Sequence, residues 1–156
     1  MEVIATQSRI SAYELVLRRR GPRSAEEVDT PVRSAAFRRV VLRAYDHQCA
    51  VCGLRIVLPD IASPIDAAHL VPWSESQDDS PENGMALCKL HHWALDANLI
   101  APTLELRWRV SRALDPRRNS ERELTRFHDL PVLLPASEQH YPCERAIEWR
   151  LECLIH

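Results

Sequence analysis

The chain is short of glycine, of lysine and of long apolar runs, and each shortage narrows what it can be. Only three glycines occur in 156 residues, too few for a glycine-rich loop that wraps a phosphate-bearing cofactor. The apolar runs are a few residues long, far below the roughly 20 that span a bilayer. The opening MEVIATQSRISAYELVLRRR lacks the basic-then-apolar order of a secretory signal. These features predict a cytoplasmic chain with no membrane association. Five cysteines, an odd number, argue against a closed disulfide framework; in a cytoplasmic chain, paired cysteines favour metal.

What is present is ordinary for a globular protein: 46% hydrophobic and 27% charged residues. The length supports one modest domain. The net charge is −2, from 20 basic and 22 acidic residues. A neutral total does not mark a nucleic-acid partner, but a local basic patch can still serve one. Lys89 is the single lysine among those bases. Arginine suits phosphate because its planar fork donates in pairs, although genome composition produces the same bias.

Residues 1–30 are polar and arginine-rich, with a turn signal at Gly21-Pro22. They read as an N-terminal arm or linker, with room for a short helix in the first 20 residues. Thr30-Pro31 reads as a helix start. Phe37, Val40, Val41, Ala44 and Tyr45 then recur at helical spacing, with Arg33, Arg38, Arg39 and Arg43 mostly off that face. The pattern predicts an amphipathic helix of about four turns that stops near Asp46-His47. Ile56 to Leu58 is β-like, and Ile65 to Val71 reads as a strand. SESQDDSPEN is a polar acidic loop, and Met85 to Leu99 reads as a helix with room for a short strand just before it. Leu104, Leu106, Trp108 and Val110 alternate with charged residues, the period of a half-buried strand. Pro131 to Pro135 reads as a short strand. Ile147, Leu151, Leu154 and Ile155 make the apolar stripe of a closing helix. Trp73 and Trp93 read as core.

Cys49 and Cys52 are separated by two residues, and Cys88 and His91 repeat that spacing. Each pair straddles a tight turn or a helix start, so both ligands of a pair face one point. Three thiolates and an imidazole form a normal tetrahedral set for structural Zn²⁺. His92 competes with His91 for the fourth position, but His91 keeps the two-residue gap. Cys143 and Cys153 lack any such pairing. A staple between the Cys49 turn and the Cys88 helix supplies folding energy that a small core lacks.

Three more residues fall between and just after these pairs: His69 in DAAHLVPW, Asn83 in PENGMALC and His92 in LCKLHHWALD. Strand, loop and helix carrying His, Asn and His in that order resemble the HNH endonucleases. The resemblance includes the flanking cysteines, the proline after His69 and the Leu-Cys before the second pair. Over FRRVVLRAYDHQCAVCG, DAAHLVPW and NGMALCKLHHWALD the chain looks like one branch of that family. That branch is the C-terminal catalytic domain of modification-dependent restriction endonucleases. The tail from Pro102 to the WRLE near the C-terminus also looks like the ending of that branch.

The resemblance implies an α+β fold, a ββα-metal core with a structural zinc knuckle. An N-terminal amphipathic helix and a C-terminal strand and helix extension would flank it. Residues 31–156 would be the HNH nuclease domain, with its core at about 45–100. The implied activity is metal-dependent hydrolysis of DNA phosphodiester bonds, leaving 5′-phosphate and 3′-hydroxyl ends, in restriction or defence against foreign DNA. His69 would be the general base, and His92 would bind a catalytic Mg²⁺ or Mn²⁺. Asn83 would hold the loop and orient His69, through the backbone or the imidazole; in some relatives it also binds metal. A neutral imidazole is suited to take a proton from water near neutral pH.

The sequence departs from the family in one place. Many relatives carry a metal-binding Asp or His just before the base, where this chain has Ala68. Asp96, four residues beyond His92 on the same helix face, ranks first as the replacement ligand. Asp66 ranks second, because strand parity turns it away from His69 unless the strand bends. A carboxylate, an imidazole and waters suit Mg²⁺ or Mn²⁺ better than zinc. Phosphate contacts would come from the Arg18–Arg23, Arg33–Arg43 and Arg107–Arg122 clusters. No base-reading module is visible, so recognition would need a separate domain or subunit. Cutting both strands would need a homodimer or two successive nicks. The alternative functions are a zinc-stapled DNA-binding module without catalysis, and a toxin-like partner that is active only with another subunit.

Overall fold

The computed structural model describes residues 25–156, with side-chain surroundings from residue 35 onward. Most of the expected arm, including Arg18, Arg19, Arg20 and Arg23, lies outside the described residues. A compact unit spans Ser34–His156.

Helix α1 runs Ala25–Ala44. It begins ahead of Thr30-Pro31, because the strong helix formers Ala25, Glu26 and Glu27 carry it across the one backbone donor that Pro31 lacks. Phe37, Val41, Leu42 and, just past the helix end, Tyr45 are buried on one face. Val40 was expected on that face and is exposed instead; Leu42 takes its place. Asp46 and His47 both adopt positive φ, 48° and 55°, which stops the helix and turns the chain toward Cys49. The β-like stretch at Ile56–Leu58 is an exposed loop, closed only by a bridge from Leu58 to Ile61. It lacks a neighbouring strand to satisfy its backbone.

Strand β1, Ile65–His69, pairs antiparallel with β2, Gly84–Cys88, placing Ile65 opposite Cys88 and His69 opposite Gly84. Helix α2, Lys89–Asp96, follows β2 directly. The short strand thus takes over the residues from Met85 that were expected to open the helix. An all-apolar run has no period to separate a buried strand from a buried helix, and pairing with β1 decides it. Asn98, at φ 57°, closes the helix end in the left-handed region.

A second ribbon pairs β3, Ile100–Pro102, with β4, Trp108–Val110. Only the second half of the alternating segment is therefore strand. Leu104 is exposed and Leu106 sits at φ 55°, both within the turn. Trp108 Nε1 donates to the Ala50 carbonyl at 3.2 Å, tying this ribbon to the cysteine turn. Pro131–Pro135 is an irregular edge with one bridge, Arg107 to Pro131, since its prolines cannot donate to a ladder. Helix α3, Glu144–Glu152, buries Ala146, Ile147 and Arg150. Leu154 is also buried, but Ile155 is exposed and falls off the expected stripe. Among the described residues, no helix is long and apolar enough to cross a membrane.

Gly84 sets how closely α1 approaches the ββ pair. A Cβ there would lie 2.6 Å from Val41 Cγ2 and 2.8 Å from Phe37 Cζ. Gly84→Ala is therefore expected to destabilise the unit by about 1–3 kcal/mol, the usual cost of overpacking a filled core. Urea unfolding monitored by far-UV circular dichroism measures this, and an unchanged midpoint would refute it.

Candidate active site and metal centre

The Cys49 turn is closed by Gly53, whose N–H donates to the Cys49 carbonyl at 2.9 Å and whose φ is 73°. Cys88 caps α2, so Cys88 and His91 flank its first turn. These two local geometries bring one donor atom from each of Cys49, Cys52, Cys88 and His91 within 4.8 Å of one another. His91 Nδ1 lies 3.1 Å from Cys88 Sγ and 3.5 Å from Cys49 Sγ. The edge of the His91 ring packs against Phe127, with centroids 5.0 Å apart. Cys143 is exposed and Cys153 half-buried, both outside the cluster.

The donor chemistry fits zinc. A hydrogen bond from the Cys88 side chain lowers the Cys49 thiol below its ordinary range, against the opposing effect of burial. The Cys88 thiol is pushed up to about 11 by its Cys49 neighbour and by burial. Burial raises Cys52 as well. Burial thus opposes the charged form at all three sulfurs, and a bound cation would stabilise all three thiolates.

The second constellation lines a cleft of ≈ 360 Å³ that includes Phe37, Arg38, Asp66, His69, His92 and Asp96. β1 supplies His69, and its ring stacks on Phe37 of α1 at 3.9 Å with planes 8° apart. Its Nε2 lies 2.9 Å from Asp79 Oδ1. α2 supplies His92, which sits between two carboxylates. Nδ1 is 3.4 Å from Asp66 Oδ2, and Nε2 is 3.4 Å from Asp96 Oδ2. The two acids occupy opposite ring nitrogens, so a single ion bound through His92 has one of them beside it, not both.

Asp66 lines the cleft, and β1 does not show the in–out alternation that parity assumes. Ile65 and Ala68 are buried, while Asp66, Ala67 and His69 are half-buried. Ala68 faces the core, so its position offers the cleft nothing. Both oxygens of Asp66 are engaged by cations, Oδ1 by Arg38 at 2.8 Å and Oδ2 by Lys89 at 2.6 Å. Burial would raise this carboxyl, but Lys89, Arg38 and His92 together hold it down to about 2. Asp96 is well exposed, with His92 as its one ion-pair partner among the described residues. An imidazole, one carboxylate and open solvent positions are a donor set that fits a hard divalent cation.

Asn83 is fully buried, and its amide does not touch His69. Oδ1 accepts from Val71 N–H at 2.9 Å, and Nδ2 donates to the Val71 and Asp78 carbonyls, each at 3.0 Å. It clamps the two ends of the 71–78 loop, and both its functional atoms are occupied by backbone. Trp73 and Trp93 are exposed, contrary to the expectation of core. They follow turn and helix positions that face outward, where apolar size alone carries no directional information.

Arg150 is a structural anchor that hydrophobic patterning missed. It is 2% exposed and donates to the carbonyls of Leu70 at 2.7 Å, Leu95 at 3.1 Å and His69 at 3.2 Å. A fourth bond reaches Asn98 Oδ1 at 3.1 Å. One buried guanidinium thus fixes the end of β1 that bears His69 to the end of the helix that bears His92.

Comparison with known proteins agrees with this geometry. No curated protein matches the sequence. Among solved structures, a modification-dependent restriction endonuclease, TagI, shares the fold with a TM-score of 0.57 and 22% identity. The alignment covers 82% of this chain but only 40% of that one. Residues 49–101, which carry the cysteine cluster together with Asp66, His69, His92 and Asp96, match the HNH endonuclease family model. The segment that carries the cysteine cluster and the two histidines is thus similar to the HNH endonucleases, within a fold like that of a restriction endonuclease.

Proposed function

We propose that the chain is a metal-dependent DNA endonuclease acting in restriction or defence against foreign DNA. The observation that carries this reading is the meeting of His69 and His92 in one cleft, from the strand and helix of a ββα unit. His69 takes a proton from the attacking water, and its stack on Phe37 fixes the plane of the ring. His92 and Asp96 hold a divalent ion, Mg²⁺ or Mn²⁺, while Asp66 keeps Arg38 at the cleft wall and pairs with the exposed Lys89. Bound there, such an ion supplies Lewis-acid stabilisation of the charge on the departing 3′-oxygen. The Cys49–Cys52–Cys88–His91 cluster holds a structural zinc. Exposed arginines at 38, 39, 43, 107, 109, 112, 117, 118 and 122 provide phosphate contacts, which position DNA without reading its sequence. Sequence or modification recognition belongs to a separate domain or subunit, and residues 31–156 are the nuclease part.

The test is nicking of a supercoiled plasmid by purified protein. Mg²⁺ or Mn²⁺ is expected to support nicking, EDTA to abolish it, and His69→Ala to remove it while leaving DNA binding intact. Equal nicking by His69→Ala would sink the base assignment. DNA binding without nicking under either metal, on plain and modified DNA alike, would point to a binding module instead.

A further inference from the structure

Asn83 cannot orient His69 by touching it, yet the loop that Asn83 clamps ends on the imidazole. Its Nδ2 holds the Asp78 carbonyl at 3.0 Å. The Asp78 carboxylate in turn accepts from Ser80 N–H at 2.8 Å, folding the loop back on itself. Between those two anchored residues sits Asp79, with its Oδ1 2.9 Å from His69 Nε2. Both side chains are only about a quarter exposed, 23% for His69 and 28% for Asp79, so the contact is partly shielded from water. Phe37 fixes the ring plane from one side, but a stack is satisfied equally by the two ring orientations related by a half-turn about Cβ–Cγ. The Asp79 contact removes that freedom.

We infer that Asp79 is a positioning residue that sets the orientation and the tautomer of His69. This inference rests on reading His69 as the general base. A carboxylate only accepts hydrogen bonds, so the contact places the imidazole proton on Nε2. The lone pair is then on Nδ1, and among the described residues the ring has no hydrogen-bond partner other than Asp79. Nδ1 is the atom that takes the proton from water. Water gives H⁺ to Nδ1 and its oxygen to phosphorus, the P–O3′ bond breaks, and the departing 3′-oxygen takes a proton from solvent; Nε2–H stays on the ring, and its hydrogen bond to Asp79 steadies the imidazolium. Asn83 acts on the base at one remove, by holding the loop from which Asp79 reaches.

Two readouts on the zinc-loaded full chain test this. Long-range ¹H–¹⁵N NMR at a pH where the ring is neutral reads which nitrogen of His69 carries the proton. The native chain is expected to show the Nε2–H form, and Asp79→Asn a mixture of the two. In plasmid nicking, Asp79→Asn is expected to lower kcat about 10–100-fold, the usual effect of losing an orienting partner. KM for DNA and zinc content should not move, and Asp79→Glu should recover part of the loss. An Nδ1–H ring in the native chain would overturn the inference, as would native kcat in Asp79→Asn. A faster Asp79→Asn would also overturn it, by showing that the carboxylate obstructs the accepting atom. The spectrum of the native chain decides even where a variant fails to fold. If His69→Ala is inactive while Asp79→Asn is native-like, only this inference falls. If His69→Ala nicks normally, the base reading itself falls.

Discussion

Removing zinc from the Cys49–Cys52–Cys88–His91 cluster is expected to unfold the domain. Structural zinc sites of this kind are worth about 10–16 kcal/mol of apparent binding free energy at neutral pH. A domain of this size has a total stability of about 5–15 kcal/mol, so the metal term is as large as the whole margin. The cluster also ties together elements that lie far apart in the sequence. Cys49 and Cys52 lie in the turn after α1, while Cys88 and His91 lie at the β2–α2 junction that delivers His92. A strong chelator should abolish the cooperative urea transition, and Cys88→Ser should do the same without chelator. Cys143→Ser should leave it unchanged, since Cys143 is exposed and outside the cluster. Stability of the loaded protein should also fall on acidification. The folded site holds thiolates, whereas the unfolded chain carries neutral thiols below pH of about 8.5. Unfolding therefore takes up protons, and stability rises with pH over that range. An apo chain that unfolds at the same urea concentration as the loaded one would show the cluster to be a set of ordinary buried thiols.

Local spacing made half of this site readable. The two-residue gaps at Cys49/Cys52 and Cys88/His91 are short-range geometry, and short-range geometry survives whatever the rest of the chain does. The His69, Asn83 and His92 series came from the resemblance to the HNH endonucleases, with each residue on a different local element. The contacts that unite the elements were not readable. Asp79 is indistinguishable in sequence from Asp78 beside it, yet one faces Ser80 within the loop and the other faces His69. Only the path of the clamped loop separates them. Asp66 ranked second on strand parity, yet it lines the same cleft as His69, because burial along this five-residue strand does not alternate. Arg150 lies between Ile147 and Leu151 in a helix with charged residues at five of its nine positions, so nothing local marks it as the buried one. Four oxygen acceptors converge on it from residues 52–81 positions away, a distance at which no pattern in the sequence operates. The Leu104–Val110 alternation misled in the opposite direction, because a turn residue at positive φ interrupts a sound period-two pattern.

His69→Ala and His92→Ala are both expected to cripple nicking, but in ways that the metal concentration separates. A general base contributes about 10²–10⁴-fold to a proton-transfer step. His69→Ala should lose that factor in kcat at every Mn²⁺ concentration, since the missing group is a proton acceptor that the metal does not replace. On the proposed metal site, His92→Ala would remove one of two protein ligands and leave Asp96 with a weakened hold. Its activity should therefore rise with added Mn²⁺ beyond the range where the native enzyme has saturated, as a ligand deficit is offset by mass action. Asp96→Asn should follow the His92→Ala pattern. Asp66→Asn should not, because Asp66 is occupied by Arg38 and Lys89; its loss should appear as weaker DNA binding. Titrating Mn²⁺ against the nicking rate for all four variants, with DNA affinity measured alongside, places each side chain. Recovery of His69→Ala at high Mn²⁺ would exchange the roles of the two histidines. Recovery of Asp66→Asn in place of Asp96→Asn would move the metal from the Nε2 edge of His92 to its Nδ1 edge, closer to the cations that now hold Asp66.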